Sequence, residues 1–588
     1  MNQLSDFTDG VFLIDFEFRP ENGREGNTPE PVCMVVKDFL SGVTRRYWKD
    51  ELEALTSAPF LVERGALCVA YFASAELDCF LKLGWQLPEN VLDLFVEFRC
   101  LTNGTTPPNG AGLLGALLYF GLPAMAAQHK DAMRDLVLRG GPWTPQEQQD
   151  ILDYCETDVT ALELLLPAML PTLDLPRALM RGRYMKAVSH MHATGTPIDT
   201  EMQQEIATYW EQIQDALIAQ IDASYGVYDG RTFKIKNWAA YLQREGIAWP
   251  RLPSGALEMT DDTFRQMARI HPRVAPIREL RSALSEMRLS NITVGDDGRN
   301  RCLLSPFSSK TGRNQPSNSR FIFGPSVWLR GLIKPRPGFC LAYIDYSQQE
   351  FGIAAALSGD QRMMEAYRSG DPYLAFAVQA GAVPQGATKR SHKVEREQFK
   401  ACVLAVQYGM GEISLAQRIS QPVARARQLL TLHRQTYRTF WAWSDATQDE
   451  AILNGKLWTT FGWEIRVKGQ VNARSLRNFP MQGNGAEMLR IACIFLTEAE
   501  IRVCAPVHDA LLIELPVDEL ESGLAKAQGL MRLASSAVLG DFELGSDAKV
   551  VCPPDRYMDE RGQVMWDTVT GLIRKIKSQQ PAAASRTT

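Results

Sequence analysis

Two strongly apolar segments that lie far apart in the chain each carry a single aspartate. FCLAYIDY brings Asp345 near its end, and APVHDALLIEL carries Asp509 where a tight turn would divide it into two strands. Short apolar runs of this kind predict buried strands. A lone carboxylate at the end of a buried strand is unfavourable unless it is paired or binds a cation. Taken singly, each aspartate is also compatible with a strand end in solvent, but the pair favours one shared cation site.

A predicted helix between these segments carries cations at a regular spacing. In REQFKACVLAVQYG, Arg396, Lys400, Leu404 and Tyr408 follow one another every four residues and form a stripe on one face of the helix. Two cations at this spacing suit a triphosphate, and the apolar and phenolic side chains suit a nucleobase. A plain basic amphipathic helix would explain the cations but not the Tyr-Gly pair at the end.

The first third of the chain, which alternates predicted strands and helices, carries a second set of acids. In the predicted strand VFLIDFEF, Asp15 and Glu17 are two residues apart and therefore point to the same face. Two such carboxylates repel each other unless a divalent cation lies between them, and oxygen-only ligands suit Mg²⁺ or Mn²⁺. For this motif alone, an exposed edge strand with two solvated acids is an equally good interpretation.

A predicted helix further along adds a phenol and another acid. In YCETDVTALELL, Tyr154 and Asp158 are four residues apart and share one face. This spacing tilts the interpretation of the first third towards a metal site.

Bulk properties bound the class of protein without identifying it. A length of 588 residues predicts several domains, and 45% apolar with 22% charged residues is ordinary for a globular chain. The net charge of −5 does not indicate a nucleic-acid-binding protein, although a basic cleft can coexist with an acidic exterior. From about Pro306 to Pro337 the chain is irregular and basic, since it carries lysines and arginines but no acid.

Cysteine usage and the N-terminus indicate where the chain works. The eleven cysteines form no CxxC pair, which argues against zinc ribbons and a disulfide framework and favours a reducing compartment. Neither a signal peptide nor a run of about 18 apolar residues is present, so we expect no membrane association and a cytoplasmic location in a bacterial cell or a phage-infected host.

The acids of the first third resemble two motifs of DEDD-type 3′→5′ exonucleases, the ribonuclease-H-like domains used for proofreading. Asp15 and Glu17 match the acid pair of the first motif, and Tyr154 and Asp158 match the Tyr-x-x-x-Asp of the third. The resemblance implies four carboxylates that hold two metal ions, with the tyrosine orienting the attacking water.

The second exonuclease motif is the least regular of the three. In AYFASAELDCFL, the favoured alignment makes Glu76 the metal ligand and puts Phe72 where the family usually has Asn. The competing alignment makes Asp78 the ligand, with Ser74 in the Asn position.

The larger part of the chain resembles family A DNA polymerases, the DNA polymerase I type. DYSQQE matches their motif A, RxxxKxxxLxxxYG matches motif B, and VHD matches motif C. The resemblance implies that Asp345 and Asp509 bind two Mg²⁺ ions, for which Mn²⁺ can substitute. It also implies a set of residues that contact the incoming deoxynucleoside triphosphate, namely Glu350, Arg396, Lys400, Leu404, Tyr408 and His508.

The resemblance gives several of these residues a specific task. Glu350 would exclude a ribose 2′-hydroxyl, Arg396 and Lys400 would contact phosphates, and Lys400 would also donate a proton. Tyr408 would lie beside the templating base pair. Leu404 stands where the family often has Phe, which leaves the discrimination of nucleotide analogues open.

Further matches predict contacts with primer–template DNA. Arg313 lies in a TGR segment similar to the one that holds the minor groove of the duplex. Arg474, Asn478 and Gln482 have the spacing of the helix that contacts template and primer. GTPID at 195–199 resembles the start of the polymerase region, so the matches run in order over most of the chain.

The chain also departs from the family. Motif C usually reads His-Asp-Glu, but here Ala510 follows Asp509, and Glu514 is about 13 Å further along the strand. Phe351 and Gly352 stand where Leu-Arg is common. We expect polymerisation to persist, because two aspartates suffice for two metal ions.

The sequence therefore predicts a multidomain α/β chain, with a ribonuclease-H-like exonuclease domain and a right-hand polymerase domain. The predicted parts are an exonuclease at 1–175, a polymerase at 176–575 and a disordered tail at 576–588, with a boundary in the proline-rich stretch at 165–180. Within the polymerase we expect a thumb at about 195–290, a palm at about 291–360 and 475–575, and fingers at about 361–474.

We expect a monomer that acts with primer–template DNA, deoxynucleoside triphosphates and replisome factors. Two alternatives stay open. One is a single-subunit RNA polymerase, against which Glu350 and the exonuclease motifs argue, and the other is a nuclease with a decayed polymerase half, for which Ala510 is the sole support.

Overall fold

The computed structural model confirms a mixed α/β, multidomain chain. It describes residues 4–123, 127–286, 292–324, 327–467 and 472–579. The chain divides into two compact units, of which the first comprises Met1–Gly195, Leu303–Gln315 and Ala342–Val550. The second comprises Thr196–Cys302, Pro316–Leu341 and Val551–Thr588. No helix of the described residues is long and apolar enough to cross a membrane.

The N-terminal part of the first unit is a five-stranded mixed sheet with helices. Its elements are β1 (Gly10–Pro20), β2 (Pro29–Asp38), β3 (Thr44–Trp48), α1 (Lys49–Ala54), β4 (Ala66–Ala70), α2 (Ser74–Leu83), β5 (Asn90–Asp93), α3 (Leu94–Thr102), α4 (Leu113–Tyr119), α5 (Ala127–Arg139), α6 (Pro145–Met169) and α7 (Leu175–Thr194). The strand order is β3-β2-β1-β4-β5. The first three strands are antiparallel, whereas β1, β4 and β5 run parallel.

Two local features position the acids of this sheet. The strand β1 buries Val11 and Leu13 in the core, and its register against β2 shifts between Glu17 and Phe18. Such bulges re-aim side chains and are frequent beside active sites. The helix α6 begins with a capping box between Thr144 and Glu147 and packs against β1 and β2. The break between α6 and α7 lies within the predicted proline-rich boundary, but the first unit continues to Gly195, so the boundary between domains stays a prediction.

The second unit begins with small elements around an aromatic core. They are β6 (Thr196–Pro197), α8 (Thr200–Thr208), α9 (Trp210–Asp222), β7 (Tyr228–Asp229), β8 (Thr232–Phe233), α10 (Ile235–Arg244), α11 (Asp261–Ile270), α12 (Ala275–Glu286) and β9 (Arg299–Asn300). Tyr209 separates the helices α8 and α9. Trp238 lies in the core, with Tyr241 and Phe264 stacked at 5.3 and 5.5 Å between ring centroids.

The remainder of the first unit supplies a second sheet and the helices α13 to α21. Its elements are β10 (Phe339–Tyr346), α13 (Gln349–Ser358), α14 (Gln361–Arg368), α15 (Pro372–Gln379), α16 (Lys393–Gln407), α17 (Glu412–Ile419), α18 (Val423–Thr436), α19 (Arg438–Asn454), β11 (Lys456–Trp458), β12 (Glu464–Arg466), α20 (Ala473–Glu498), β13 (Arg502–Val507), β14 (Ala510–Pro516), α21 (Leu520–Leu539) and β15 (Ser546–Val551). The strand order is β13-β14-β10-β15. Both apolar segments with a lone aspartate are therefore strands of one sheet.

The second unit also contains a disulfide and the last helix. Cys340 and Cys552 form a disulfide bond across a separation of 212 residues. The lack of closely spaced cysteines did not predict this bond. The helix α22 (Gln563–Gln579) takes up residues 576–579 of the predicted disordered tail. The rest of that predicted tail, 580–588, lies outside the described residues.

Candidate active sites

The structure brings Asp345 and Asp509 together. Asp345 lies at the end of β10, and Asp509 lies in the turn between β13 and β14, where Val507 pairs with Ala510. The amide of Tyr346 donates to the carbonyl oxygen of Asp509 at 3.4 Å, and the two carboxyl groups are within hydrogen-bonding range. The neighbouring His508 has a left-handed backbone, with φ of 59°, so the turn is tight.

The electrostatics of this centre favour a cation. Burial and the charge of Asp509 raise the pKa of Asp345 to about 7. Its Oδ1 atom is buried and has no hydrogen-bond partner. Among the described residues, no lysine or arginine forms a salt bridge with Asp345 or Asp509. An orphaned carboxylate oxygen beside a second carboxylate fits a divalent cation with oxygen ligands.

The predicted stripe of residues lies on the helix α16, but Arg396 is already paired. Its guanidinium donates to Asp371 at 2.5 Å and to Glu397 at 2.7 Å, and the residue is only 9% exposed. Lys400 lies 5.8 Å from the ring centroid of Tyr373 and forms no salt bridge with a described residue. Lys400 is therefore the more available cation of the two.

Tyr408 directly follows α16 and lies beside Glu350, which is on α13. The Tyr408 hydroxyl lies beside the Glu350 carboxyl, and burial raises the pKa of both groups. Gly409 has a φ of 63°, and a Cβ there would meet Arg474 Cγ at 2.8 Å. Only glycine satisfies both demands, which explains the Tyr-Gly pair that a plain amphipathic helix does not need. Leu404, on the same face, is half-buried.

The predicted DNA-contacting residues lie in the first unit. The turn that ends at Arg313 is held by the side chain of Ser309, because the backbone N–H of Arg313 donates to Ser309 Oγ at 2.7 Å. Arg313 Nε is buried without a hydrogen-bond partner, and the charge of the residue acts on both Glu350 and Tyr408. Arg313 therefore lies near two of the residues that are predicted to contact the nucleotide.

The helix α20 carries the other three predicted DNA contacts. Arg474 is exposed in its first turn, whereas Asn478 and Gln482 follow at four-residue steps and are half-buried. Residues at this spacing share one helix face. The three side chains can therefore contact one ligand together.

The first sheet holds a second cluster of acids. Asp15 and Glu17 on β1 and Asp158 on α6 each offer a carboxylate oxygen, and these atoms all lie within 4.8 Å of one another. Burial raises the pKa of Asp15 well above its usual value, and burial with the nearby Asp158 raises the pKa of Glu17 to about 8. Asp15 Oδ2 is buried without a hydrogen-bond partner. This cluster also fits divalent cations.

The structure separates the two candidates for the second exonuclease motif. Glu76, at the start of α2, is buried, accepts a hydrogen bond from the amide of Phe16 at 2.7 Å, and acts electrostatically on Asp15. Asp78 instead contacts His192 Nδ1 at 3.1 Å. The geometry favours Glu76 as the fourth carboxylate, although the ligand assignment itself stays a prediction.

The sequence did not predict that a lysine contacts this cluster. Lys130 on α5 donates to both oxygens of Asp158, at 2.9 and 3.2 Å, and lies 5.8 Å from the ring centroid of Tyr154. Burial raises the pKa of Tyr154, the predicted water-orienting residue. Lys130 belongs to no motif, so only a prediction that α5 packs beside α6 could have found it.

Residues 315–549 match the family model of DNA polymerase family A. This part of the chain, which contains the sheet with its paired aspartates and the helix α16, is therefore similar to that family. The match includes both aspartates and α16, whereas Arg313 and the first sheet lie outside it.

Similar proteins come from bacteria and phages. The chain is 25% identical over 394 residues to DNA polymerase I of Chloroflexus aurantiacus, covering 61% of this chain and 40% of that protein. It is 25% identical over 397 residues to the thermostable DNA polymerase I of Thermus aquaticus, covering 62% and 46%. It therefore spans less than half the length of these relatives. The DNA polymerase of Mycobacterium phage L5 is 24% identical over 443 residues, covering 72% and 70%.

One solved structure shares the fold over nearly the whole chain. It is the POL domain of Pol1 from M. smegmatis in complex with DNA primer-template and dNTP. The TM-score is 0.68 at 18% identity, and the match covers 97% of this chain and 98% of that one.

Proposed function

We propose that the chain is a DNA-directed DNA polymerase with its own 3′→5′ exonuclease. The observation that carries the polymerase activity is the convergence of Asp345 and Asp509, which leaves a buried carboxylate oxygen without a partner. The similarity of residues 315–549 to family A supports the same reaction. A related fold bound to primer–template DNA and dNTP supports these as the substrates.

The cation expected at this centre is Mg²⁺, for which Mn²⁺ is a substitute. Asp345 and Asp509 would hold it, since both are acids with no basic partner. Bound divalent cations would supply activation of the primer 3′-hydroxyl and neutralisation of the pyrophosphate leaving group. The protein contributes fixed carboxylates at the end of a rigid sheet, so the two ligands need little rearrangement.

The helix α16 would bind the triphosphate of the incoming nucleotide. Lys400 has no carboxylate partner, so it can contact a phosphate and donate a proton to the leaving group. Arg396 is engaged by Asp371 at 2.5 Å, so a phosphate has to share or replace that carboxylate. Asp371 holds Arg396 in place before the nucleotide arrives, but its negative charge reduces the positive potential of the guanidinium.

The neighbouring side chains of Glu350 and Tyr408 would distinguish the sugar and support the base pair. Burial beside the Tyr408 hydroxyl restricts the Glu350 carboxyl, so an added 2′-hydroxyl would meet it. His508 and Leu404 are the remaining predicted contacts of the nucleotide. Base choice itself comes from the template, and the site checks the shape of the pair.

Arg313, Arg474, Asn478 and Gln482 would contact the primer–template duplex. Phosphate contacts position a duplex without reading its sequence. Because they release counterions, the affinity for DNA should fall as the salt concentration rises.

The exonuclease activity rests on the second carboxylate cluster. Asp15, Glu17, Glu76 and Asp158 would hold the cations, because their oxygens converge and Asp15 Oδ2 has no partner. Tyr154, one helical turn before Asp158, would orient the attacking water. A frayed, mispaired primer end would be the substrate, since the cluster accepts a single strand.

Primer extension on matched and mismatched primers tests both activities in one experiment. We expect the wild type to extend a matched primer, and to trim a mismatched primer before extending it. Asp345→Asn should trim without extending, and Asp15→Asn should extend the matched primer without trimming. Extension by Asp345→Asn at the wild-type rate would overturn the polymerase assignment.

The same assay decides between the two alternative functions. Efficient ribonucleotide incorporation by the wild type would favour a single-subunit RNA polymerase, whereas a wild type that trims but never extends would favour a nuclease with a decayed polymerase half. A monomeric state and replisome partners stay predictions.

A further inference from the structure

The acidic residue Asp547 lies beside the polymerase centre and has no part in the function proposed above. Its position follows from the pairing of β10 with β15. The amide of Ser347, just past β10, donates to the carbonyl oxygen of Gly545 at 2.9 Å. In an antiparallel pair, a step of two residues back along β10 from Ser347 is matched by a step of two residues forward along β15 from Gly545. This register places Asp345 opposite Asp547.

The opposite ends of the two strands fit the same register. Cys340 lies five residues before Asp345, and Cys552 lies five residues after Asp547. These two cysteines are joined by a disulfide bond, with Cα atoms 4.3 Å apart. A separation of this size is typical of directly opposed residues in an antiparallel pair. Two contacts at the two ends of the strand pair therefore agree that Asp345 faces Asp547.

Directly opposed residues point to one face of a sheet, so the two carboxylates lie on the same side. Opposed Cβ atoms are about 5 Å apart, and like charges at that spacing destabilise the pair. Ser347 Oγ donates to Asp547 Oδ2 at 2.7 Å and holds this carboxylate in place. The charge of Asp547 acts on Asp345 in the structure, as does that of Asp509 on the other side.

Asp547 is exposed to solvent, whereas Asp345 is half-buried. Among the described residues, neither lysine nor arginine forms a salt bridge with Asp345, Asp509 or Asp547. The buried Oδ1 of Asp345 lacks a partner. We propose that Asp547 is the third carboxylate of the polymerase centre, facing the divalent-cation site of Asp345 and Asp509 from the β15 side. The inference rests on the proposed polymerase function.

This assignment accounts for the missing acid of motif C. Ala510 stands where that acid is expected, and it is fully buried. Glu514, the next acid in sequence, is held by Arg502 at 2.9 Å and pairs with it across the hairpin, away from the turn. Asp547 therefore supplies, from a neighbouring strand, the third negative charge that the turn lacks.

The test measures cation binding directly in the full-length chain. All variants carry Asp15→Asn, so that the exonuclease cluster contributes little, and Mn²⁺ affinity is measured by calorimetry. Asp547→Asn keeps the shape and can still accept the Ser347 hydrogen bond, so it removes charge alone. We expect the dissociation constant for Mn²⁺ to rise about 3- to 10-fold, as one charge removed near a divalent cation predicts.

Thermal unfolding in EDTA provides a second readout with the opposite sign. If Asp547 repels Asp345 when no cation is bound, Asp547→Asn should raise the unfolding temperature in EDTA and reduce its further rise with Mn²⁺. The matched control is Glu543→Gln, an exposed acid four residues earlier, which should change neither quantity. A residue that merely supported the strand would lower the unfolding temperature in both conditions.

The outcomes separate this inference from the proposed function. If Asp345→Asn abolishes extension and Mn²⁺ binding while Asp547→Asn leaves Mn²⁺ affinity within twofold of its parent, the third carboxylate is wrong and the polymerase assignment stands. If the parent protein does not extend primers and Asp345→Asn leaves Mn²⁺ binding unchanged, the polymerase function itself fails. A raised Mg²⁺ requirement for extension in Asp547→Asn, with a normal maximal rate, would complete the expected result.

Discussion

The first unit contains two carboxylate clusters that differ in how their charge is balanced. In the proposed exonuclease cluster, the half-buried carboxyl groups of Asp15 and Glu17 are more desolvated than that of Asp345, and Lys130 supplies a cation to Asp158 at 2.9 Å. In the polymerase cluster, Asp345 is more open to solvent, and its neighbours are acids. A buried cluster needs an internal cation to be stable without metal, whereas an open one can be screened by water and ions.

The difference matches the two substrates that we propose. A single strand with one reacting phosphate can be admitted to a closed cluster next to a lysine. A duplex end, a nucleotide and a leaving pyrophosphate need an open centre with room on the face of a sheet. Similar carboxylate chemistry is therefore tuned by the charges and the solvent around each cluster. Each of the following experiments changes one of the two clusters.

Exchanging one carboxylate in each cluster should have the largest effect. We expect Asp345→Asn to lower the rate of primer extension by about 1000-fold or more, because electrostatic stabilisation of the reacting phosphate is lost. Single-strand degradation by this variant should match the wild type. Asp15→Asn should show the reverse pattern, and rapid-quench kinetics on one labelled primer measures both rates.

A parallel loss of both activities in either variant would contradict two independent centres. Asp518→Asn, a change in a surface acid after β14, serves as the matched control and should alter neither rate.

Removing the acid that contacts Tyr408 should affect the polymerase cluster alone. Glu350→Ala should raise ribonucleotide incorporation, relative to deoxyribonucleotide incorporation, by about 100-fold, because the carboxylate no longer meets the 2′-hydroxyl. Tyr408→Phe keeps the ring but removes the hydroxyl beside Glu350, so it should show a smaller change in the same direction. Single-nucleotide incorporation kinetics with rCTP and dCTP measures the ratio, and an unchanged ratio in Glu350→Ala would remove its role in sugar selection.

Without metal, both clusters should make the protein less stable as the pH rises. The folded pKa of Glu17, about 8, and of Asp345, about 7, lie above their unfolded values of 4.5 and 3.8. The stability is therefore fully present below the unfolded pKa and is lost as the pH rises through the folded pKa. Each buried group contributes a slope of up to about 1.4 kcal/mol per pH unit, and solvent screening makes the slope smaller for Asp345.

The measurement is the unfolding temperature in EDTA between pH 4 and pH 9. Glu17→Gln should flatten the decline up to about pH 8, and Asp345→Asn should flatten a shallower decline that ends about one unit lower. Saturating Mg²⁺ should flatten both, since metal binding favours the charged carboxylates. Equal slopes for the wild type and both variants would show that neither cluster is strained without metal.

The sequence predicted the parts of these clusters that lie on regular elements. Asp15 and Glu17 follow from strand alternation, Tyr154 and Asp158 from helical spacing, and the four-residue stripe of α16 from the same periodicity. These patterns are local, so they survive whatever the rest of the chain does. The multidomain α/β class followed from the same alternation of elements.

The missed features all depend on packing between distant segments. Lys130 meets Asp158 because α5 packs on α6, and Arg396 meets Asp371 because α15 packs on α16. The position of Asp547 depends on strand order. No spacing in the sequence encodes these contacts, and charge pairing across elements has no period to detect.

Neutralising Lys130 should have the smallest effect on activity. It tests most directly whether an internal cation balances the charge of the proposed exonuclease cluster. Because Lys130 and a metal ion compete for Asp158, Lys130→Gln should lower the Mg²⁺ concentration required for half-maximal degradation by about 2- to 5-fold, as expected for one partly exposed charge. In EDTA it should lower the stability by less than about 1 kcal/mol, since the lysine side chain is 42% exposed. The matched control is Lys82→Gln, which removes a similar lysine paired with Glu21 and should leave the Mg²⁺ requirement unchanged. A higher Mg²⁺ requirement in Lys130→Gln would mean that this lysine assists the bound substrate rather than balancing the empty cluster, and the contrast between a closed and an open centre would then need a different cause.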